Sequence, residues 1–432
     1  MKFIYLLTIM IRLFIHLTLI LFLSSHCLSQ NWEKRHKFAK TYFGTNNYCV
    51  FGLTEGIYID SEGNLKSFTK NNFISPAINI GATHFWGYAD FYVSINTVGL
   101  KFKEDEVQNS FRLGTFTGLR IYPWPSTEKS IRPYAGYKFS PFRYRQEDTF
   151  GNRFSITKVK SIFDLGIGIQ LPEFYFTLEY GYVVNPKFET YLSRDVTSND
   201  QFPSHILQLG LNYTIETTQS ASTRINKKSN DIFSATNEMG LFFAGGPSST
   251  FPLQSSNYIT ELYPYTDDKS FPIIFPDLAI GYHFLKLDLI TAFSFRPISQ
   301  KRSAYGFEQI IKRNSLNFET YKYLWDYHGF VPYIGAGIAY EKIRLTETEN
   351  GDELTDLTYQ KISPNIVFGW DIRPSMKGDW WILRTNLRYF PFLTIGHQNH
   401  SLSLQHLEFN FIQFVLYPQK LKKIKALSKY SI

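Results

Sequence analysis

The sequence predicts an all-β fold, a transmembrane antiparallel β-barrel of sixteen strands made from two eight-strand repeats. Three observations predict it. The chain echoes itself about 200 residues apart, its apolar residues alternate with period two, and its connections alternate between short and long.

The echo comes first, because a missed repeat misreads everything after it. Pro76-Ala77-Ile78-Asn79-Ile80-Gly81 returns as Pro276-Asp277-Leu278-Ala279-Ile280-Gly281. Pro133-Tyr134-Ala135-Gly136 returns as Pro332-Tyr333-Ile334-Gly335, with Arg145 and Arg344 each twelve residues after the proline. Gly168 and His205 have counterparts in Gly369 and His406. Chance pairs of prolines would not hold one register over a whole module, so the expectation is a tandem duplication.

Each half then resolves into eight strands. In the first they are expected near 48–58, 74–84, 89–98, 110–122, 132–146, 157–170, 174–184 and 205–215. In the second they are expected near 237–245, 275–284, 286–296, 314–324, 331–346, 359–373, 379–390 and 403–416. The alternation is plain in 162–170, where Phe163, Leu165, Ile167 and Ile169 oppose Asp164, Gly166, Gly168 and Gln170. In 111–122 it sets Phe111, Leu113, Leu119 and Ile121 against Arg112, Gly114, Gly118 and Arg120.

Connections after strands two, four and six of each half are short; those after one, three, five and seven are mostly long and polar, as in 59–73, 185–204 and 246–274. A soluble sandwich has no reason to keep that parity. An outer-membrane barrel does, with short periplasmic turns and long external loops. Trp86, Trp124, Trp325, Trp380 and Trp381 all lie at or beside the short turns, where a periplasmic aromatic girdle belongs.

Bulk composition agrees. The chain has 432 residues, 44% of them hydrophobic and 18% aromatic, with 40 Phe, 29 Tyr and 7 Trp. A mean hydropathy of −0.20 excludes a bundle of transmembrane helices. The net charge of +8 is partly terminal, with Lys420, Lys422, Lys423, Lys425 and Lys429 near the end, and no nucleic-acid motif accompanies it. Residues 3–23 are apolar apart from Arg12 and His16 and precede Ser24-Ser25-His26-Cys27-Leu28-Ser29-Gln30. That reads as a secretory signal peptide cleaved after Ser29, leaving Cys49 as the one cysteine. The expected layout is therefore a signal peptide over 1–29, a periplasmic leader over 30–47, repeats over 48–215 and 237–417, a linker over 216–236 and a basic tail over 418–432. The expected location is the outer membrane of a Gram-negative bacterium.

Each half resembles the small eight-stranded barrels of the OmpX/OmpW/OmpA type. The resemblance is carried by Tyr122-Pro123-Trp124, by the Pro-Tyr-Ala-Gly and Pro-Tyr-Ile-Gly strand openings, and by the glycine-alternating stretches Asp164–Gln170 and Asn365–Asp371. Such barrels end on a C-terminal aromatic, whereas Phe414 and Tyr417 here precede the basic tail. Both one barrel of sixteen strands and two tandem barrels of eight satisfy the pattern. The single barrel is favoured, because the linker can be the inherited leader of the second copy; two closed barrels are the alternative.

An arginine or lysine facing lipid at mid-bilayer costs roughly 2–4 kcal/mol. The charged strand residues are therefore expected to line the lumen: Arg112, Arg120, Lys138, Asp164 and Glu179 in the first half, with Asp288, Glu341, Asp371, Arg373, Arg384 and Arg388 in the second. Asp90 and Arg296 join them. The function expected from a polar lumen is a porin-like passive pore for small solutes, mildly anion-preferring because of Arg112, Arg120, Arg384 and Arg388. A structural or adhesive barrel is the alternative. A lipid-modifying enzyme is disfavoured, since His-x-Ser, Gly-x-Ser-x-Gly, His-Glu-x-x-His and Cys-x-x-Cys are all missing from the sequence. No cofactor and no metal is expected; the expected partners are outer-membrane lipid and small solutes, not nucleic acid.

Overall fold

The computed structural model describes residues 34–35, 38–52, 55–84, 87–104, 107–125, 130–147, 153–216, 219–220, 240–266, 274–284, 287–325, 330–372 and 380–420. The expected signal peptide, the basic tail from 421 onward and most of the linker lie outside these residues, as do Trp86 and Arg373.

Two rings of antiparallel strands form, one after the other in the chain. Barrel 1 comprises β1 (Phe38–Phe51), β2 (Phe73–His84), β3 (Ala89–Asn96), β4 (Val107–Leu113), β5 (Phe116–Ile121), β6 (Ser130–Glu147), β7 (Arg153–Gln170), β8 (Phe174–Val183) and β9 (His205–Glu216). Here β4 and β5 are two lengths of a single stave, so the ring has eight members. It closes because β9 pairs with β1 over its whole length, from His205 opposite Phe51 to Glu216 opposite Lys40. Barrel 2 comprises β10 (Gly240–Pro252), β11 (Phe275–Phe284), β12 (Leu289–Ala304), β13 (Phe307–Tyr323), β14 (Phe330–Glu349), β15 (Asp352–Ile372), β16 (Trp381–Phe390) and β17 (His406–Leu416). It closes through β10 and β17.

This replaces the single sixteen-stranded barrel: each half closes on itself. The reason lies in the first strand. It runs over Phe38–Phe51, ten residues ahead of the expected 48–58. Residues 38–47, expected to be leader, thus supply the edge that β9 needs, and among the described residues no edge of the ring is left to recruit β10. Cysteines replacing Thr45 and Leu211, in a background lacking Cys49, should therefore crosslink efficiently under mild oxidation. Failure there, with crosslinking between β9 and β10 instead, would restore the larger barrel.

The strands form where the alternation dictates. In β8 the burial alternates without a break from Phe174 to Val183, with Tyr175, Thr177, Glu179 and Val183 inside and Phe174, Phe176, Leu178, Tyr180 and Tyr182 outside. The exposed apolar residues belt both rings, including Phe163, Leu165 and Ile167 on β7 and Leu316, Phe318, Ile334 and Ile338 on β13 and β14. A large exposed apolar band is what a bilayer-facing barrel surface requires. Among the described residues no helix is long and apolar enough to cross a membrane.

The two rings meet at their long-loop ends. Arg194 of barrel 1 pairs with Glu349 and donates to the carbonyl of Tyr305, whose hydroxyl donates to the Tyr191 carbonyl at 2.5 Å. Phe139 on β6 meets Phe251 on β10 edge-on at 6.0 Å.

Candidate functional site: two packed lumens and their outer mouths

Inward positions of an eight-stranded barrel are just numerous enough for side chains to fill the interior, and here they do. In barrel 1, Glu179 on β8 sits between two cations: Arg120 Nε donates to it at 2.9 Å and Lys138 Nζ at 2.5 Å. Lys138 also reaches Asp164 at 2.9 Å, and the Tyr134 hydroxyl donates to Glu179 at 2.9 Å. Below this layer Tyr122 donates to Asp90 at 2.5 Å, and Arg132 stacks on the Tyr122 ring at 3.8 Å while donating to the Gly87 carbonyl.

Barrel 2 repeats the design with more arginine. Arg388 donates to Asp277 at 2.8 Å, to Glu408 at 2.8 Å and to Glu319 at 2.5 Å. Arg296 donates from Nη1 to both oxygens of Glu408 at 2.9 Å, and Arg384 grips Asp371 through the two donors Nε and Nη2 at 2.7 and 3.0 Å. Arg313 lies 3.3 Å from Glu341 and 3.0 Å from the Nε2 of His406. A guanidinium matches a carboxylate through two parallel donors, which is why arginine dominates these contacts.

The decisive property is burial. Arg120, Lys138, Arg296 and Glu408 are 0% exposed and Arg384 and Arg388 are 2% exposed. Side chains lining a water-filled passage would be wet along one side. Cations and carboxylates alternate through both layers, so little net field remains to select an anion.

The mouths at the long-loop ends are closed differently. Over barrel 1 lies an aromatic cluster of Phe111, Phe116, Phe142, Phe188 and Phe202. Above it, buried Lys70 pairs with buried Asp200, tying the hairpin Gly56–Ile59/Leu65–Phe68 to the hairpin Lys187–Tyr191/Thr197–Gln201. Over barrel 2 lies the short helix α1 (Asn257–Leu262), which places Tyr258 and Ile259 on Ile311, Ile343, Leu345, Leu393 and Leu402. Tyr258 donates to Glu347 at 2.8 Å; burial, aided by that bond, pushes its hydroxyl well above the ordinary tyrosine value, so it stays a donor at any physiological pH.

Most residues expected in the lumen lie there: Arg120, Lys138, Asp164 and Glu179 in barrel 1, with Glu341, Asp371, Arg384 and Arg388 in barrel 2. Two do not. Arg112 points outward, because β4 and β5 are separated by a bulge. Leu113 pairs with Phe142 while Thr117 pairs with Phe139, so the stave carries one extra residue and the parity inverts between Arg112 and Arg120. Asp288 is exposed in the turn before β12, in a left-handed conformation with φ 50°, since that strand starts at Leu289 rather than at 286. Alternation missed Arg132, Asp277, Arg313 and Glu319, although each shares the parity of buried neighbours on its strand. Trp124 and Trp325 are exposed beside the short turns, with Trp380 and Trp381 half-buried there.

No known protein family and no curated relative matches the chain. Among solved structures it is similar to Neisserial surface protein A, at 14% identity over 41% of this chain and 96% of that one, with a TM-score of 0.29. It is also similar to Ail, the attachment invasion locus protein of Yersinia pestis, at 14% identity over 41% and 97%, with a TM-score of 0.26. An outer membrane channel from Pseudomonas putida F1 matches at 9% identity over 90% and 99%, with a TM-score of 0.19. Scores this low bear on neither activity nor ancestry.

Proposed function

We propose that the chain is a non-enzymatic protein of a Gram-negative outer membrane, a pair of closed barrels from a tandem duplication. Its working surfaces are its exterior and loop ends. It is a structural or surface-recognition element rather than a passive pore. The observation that supports this is the filled lumen: buried charges are acceptable only when paired, and Arg120 and Lys138 in barrel 1 and Arg296, Arg384 and Arg388 in barrel 2 pack against carboxylates rather than against water. The duplication is supported by matched positions. Pro76 and Pro276 lie on β2 and β11, Pro133 and Pro332 on β6 and β14, and His205 and His406 open β9 and β17.

The test is conductance together with topology. The purified full chain in planar bilayers should give no steady current steps at moderate voltage. On intact cells protease should cut the exterior hairpins around residues 60–64, in the outer-membrane fraction, with the mature chain beginning near Gln30. Regular channels carried by the pure protein would return the pore reading. Recovery in the inner membrane with residues 3–23 intact would remove the location.

A further inference from the structure

Charges on the barrel exterior, immediately above the apolar belt, fall into one repeated arrangement that the packed lumens do not use. In barrel 1, Arg112 on β4 stands directly opposite Arg143 on β6, both exposed and both facing out. One row higher, Lys101, Ser110 and Arg145 stand side by side. Like charges directly opposite on one face of a sheet are destabilising. This pair exists only because the bulge turns Arg112 out of the lumen. Arg143 Nε donates to Thr157 at 3.3 Å, and Arg145 and Arg153 engage Glu147 at 2.7 and 3.1 Å.

Barrel 2 carries its like-charge pair one row higher. Lys312 on β13 stands directly opposite Arg344 on β14, and Lys342 lies one row lower, all three exposed. Arg143 and Lys342 each follow the strand-opening proline by ten residues, and Arg145 and Arg344 by twelve. Arg344 is held by Asp356 at 2.8 and 2.6 Å, leaving the two lysines toward solvent. Below lie half-buried Pro141 in barrel 1, with Phe139 already packed on Phe251 of barrel 2, and the exposed belt residues Leu316, Tyr340 and Ile362 in barrel 2.

From this geometry we propose that each barrel carries an external binding site for the phosphate groups of an anionic glycolipid headgroup in the outer leaflet. The sites are formed by Arg112, Arg143 and Lys101 on barrel 1 and by Lys312 and Lys342 on barrel 2. A phosphate between the opposed Arg112 and Arg143, or between the diagonal Lys312 and Lys342, would offset the repulsion of the cations through charge-assisted hydrogen bonds. The belt directly beneath would hold the acyl chains of the same molecule, so lipid rather than a free anion is the occupant. The height above the belt is that of the headgroup layer, where basic residues attract anionic lipid.

The inference rests on the membrane placement proposed above, yet its test does not depend on cell location. The full chain, purified in detergent, is mixed with a diphosphorylated glycolipid, with its dephosphorylated counterpart, and with inorganic phosphate, and retained lipid is counted by native mass spectrometry. The wild type should hold the phosphorylated lipid and not the dephosphorylated one. Arg112→Gln with Arg143→Gln should remove one lipid, Lys312→Gln with Lys342→Gln another, and the four together should weaken retention at least about tenfold. Arg112→Lys with Arg143→Lys should keep binding and serves where the neutral variant misfolds. Equal retention by the fourfold variant, equal retention of the dephosphorylated lipid, or full displacement by equimolar inorganic phosphate would each overturn the proposal.

Discussion

Replacing Arg388 with alanine should destabilise barrel 2 by roughly 3–5 kcal/mol, the usual cost of breaking a buried ion pair from one side. Arg388 is the shared cation of Asp277, Glu319 and Glu408, and all four side chains are nearly inaccessible to water. Its removal leaves three carboxylates facing one another across the lumen. Arg296 continues to hold Glu408, but Glu319 and Asp277 lose their ionic partner. Arg388→Lys keeps the charge without the fork, so it should recover only part of the loss. Denaturant unfolding in detergent, followed through Trp325, Trp380 and Trp381, measures both. An unchanged midpoint for Arg388→Ala would mean that water already reaches this layer.

Phe142→Ala should cost barrel 1 about 3–5 kcal/mol, by a different route: a large ring lost from a closed apolar cluster leaves a cavity. Phe142 is 0% exposed. Its ring lies 6.0 Å from Phe111, 6.3 Å from Phe116 and 5.7 Å from Phe202, each nearly edge to face. The two substitutions lie in separately closed rings with no shared partner, so their effects should add. Two unfolding transitions are expected, with Phe142→Ala moving one and Arg388→Ala the other. If either change shifts both transitions together, the rings unfold as one unit and their exterior contacts are stronger than the junction suggests.

Strand count, strand direction and the inward facing of Arg120, Lys138, Glu179, Arg384 and Arg388 were legible in the sequence, because alternation and the cost of lipid-facing charge both act locally. Ring closure was not legible. It depends on which edges meet, and the edge of β1 lies in 38–47, where Lys40, Asn46 and Asn47 hide the alternation. Arg112 was misplaced for a related reason. A bulge inserts one residue, and side-chain parity beyond it is inverted without any change in composition. A similar slip occurs in β17, where Gly245 pairs with Phe414 but Ser248 with Asn410. There the carbonyl of Ile412 comes so close to Gly246 that a Cβ would lie 2.2 Å from it, so only glycine fits opposite this bulge. The pore expectation turns on quantity: the sequence shows that charges face inward but not that their volumes fill the space.

The β14–β15 hairpin has strands of 20 and 21 residues. At about 3.3 Å per residue each is roughly 65 Å long, and a strand tilt near 40° makes that about 50 Å of height, twice an apolar belt of about 25 Å. In the proposed outer-membrane orientation the turn at Asn350 and Gly351 is therefore a mast whose tip stands about 25 Å above the top of the apolar belt, beyond the headgroup layer. Arg194, reaching from barrel 1 to Glu349, acts as its stay. In that orientation a large particle approaching the membrane would meet this tip, with the barrel 1 loop that holds Arg194 beside it, before the closed mouth of barrel 2.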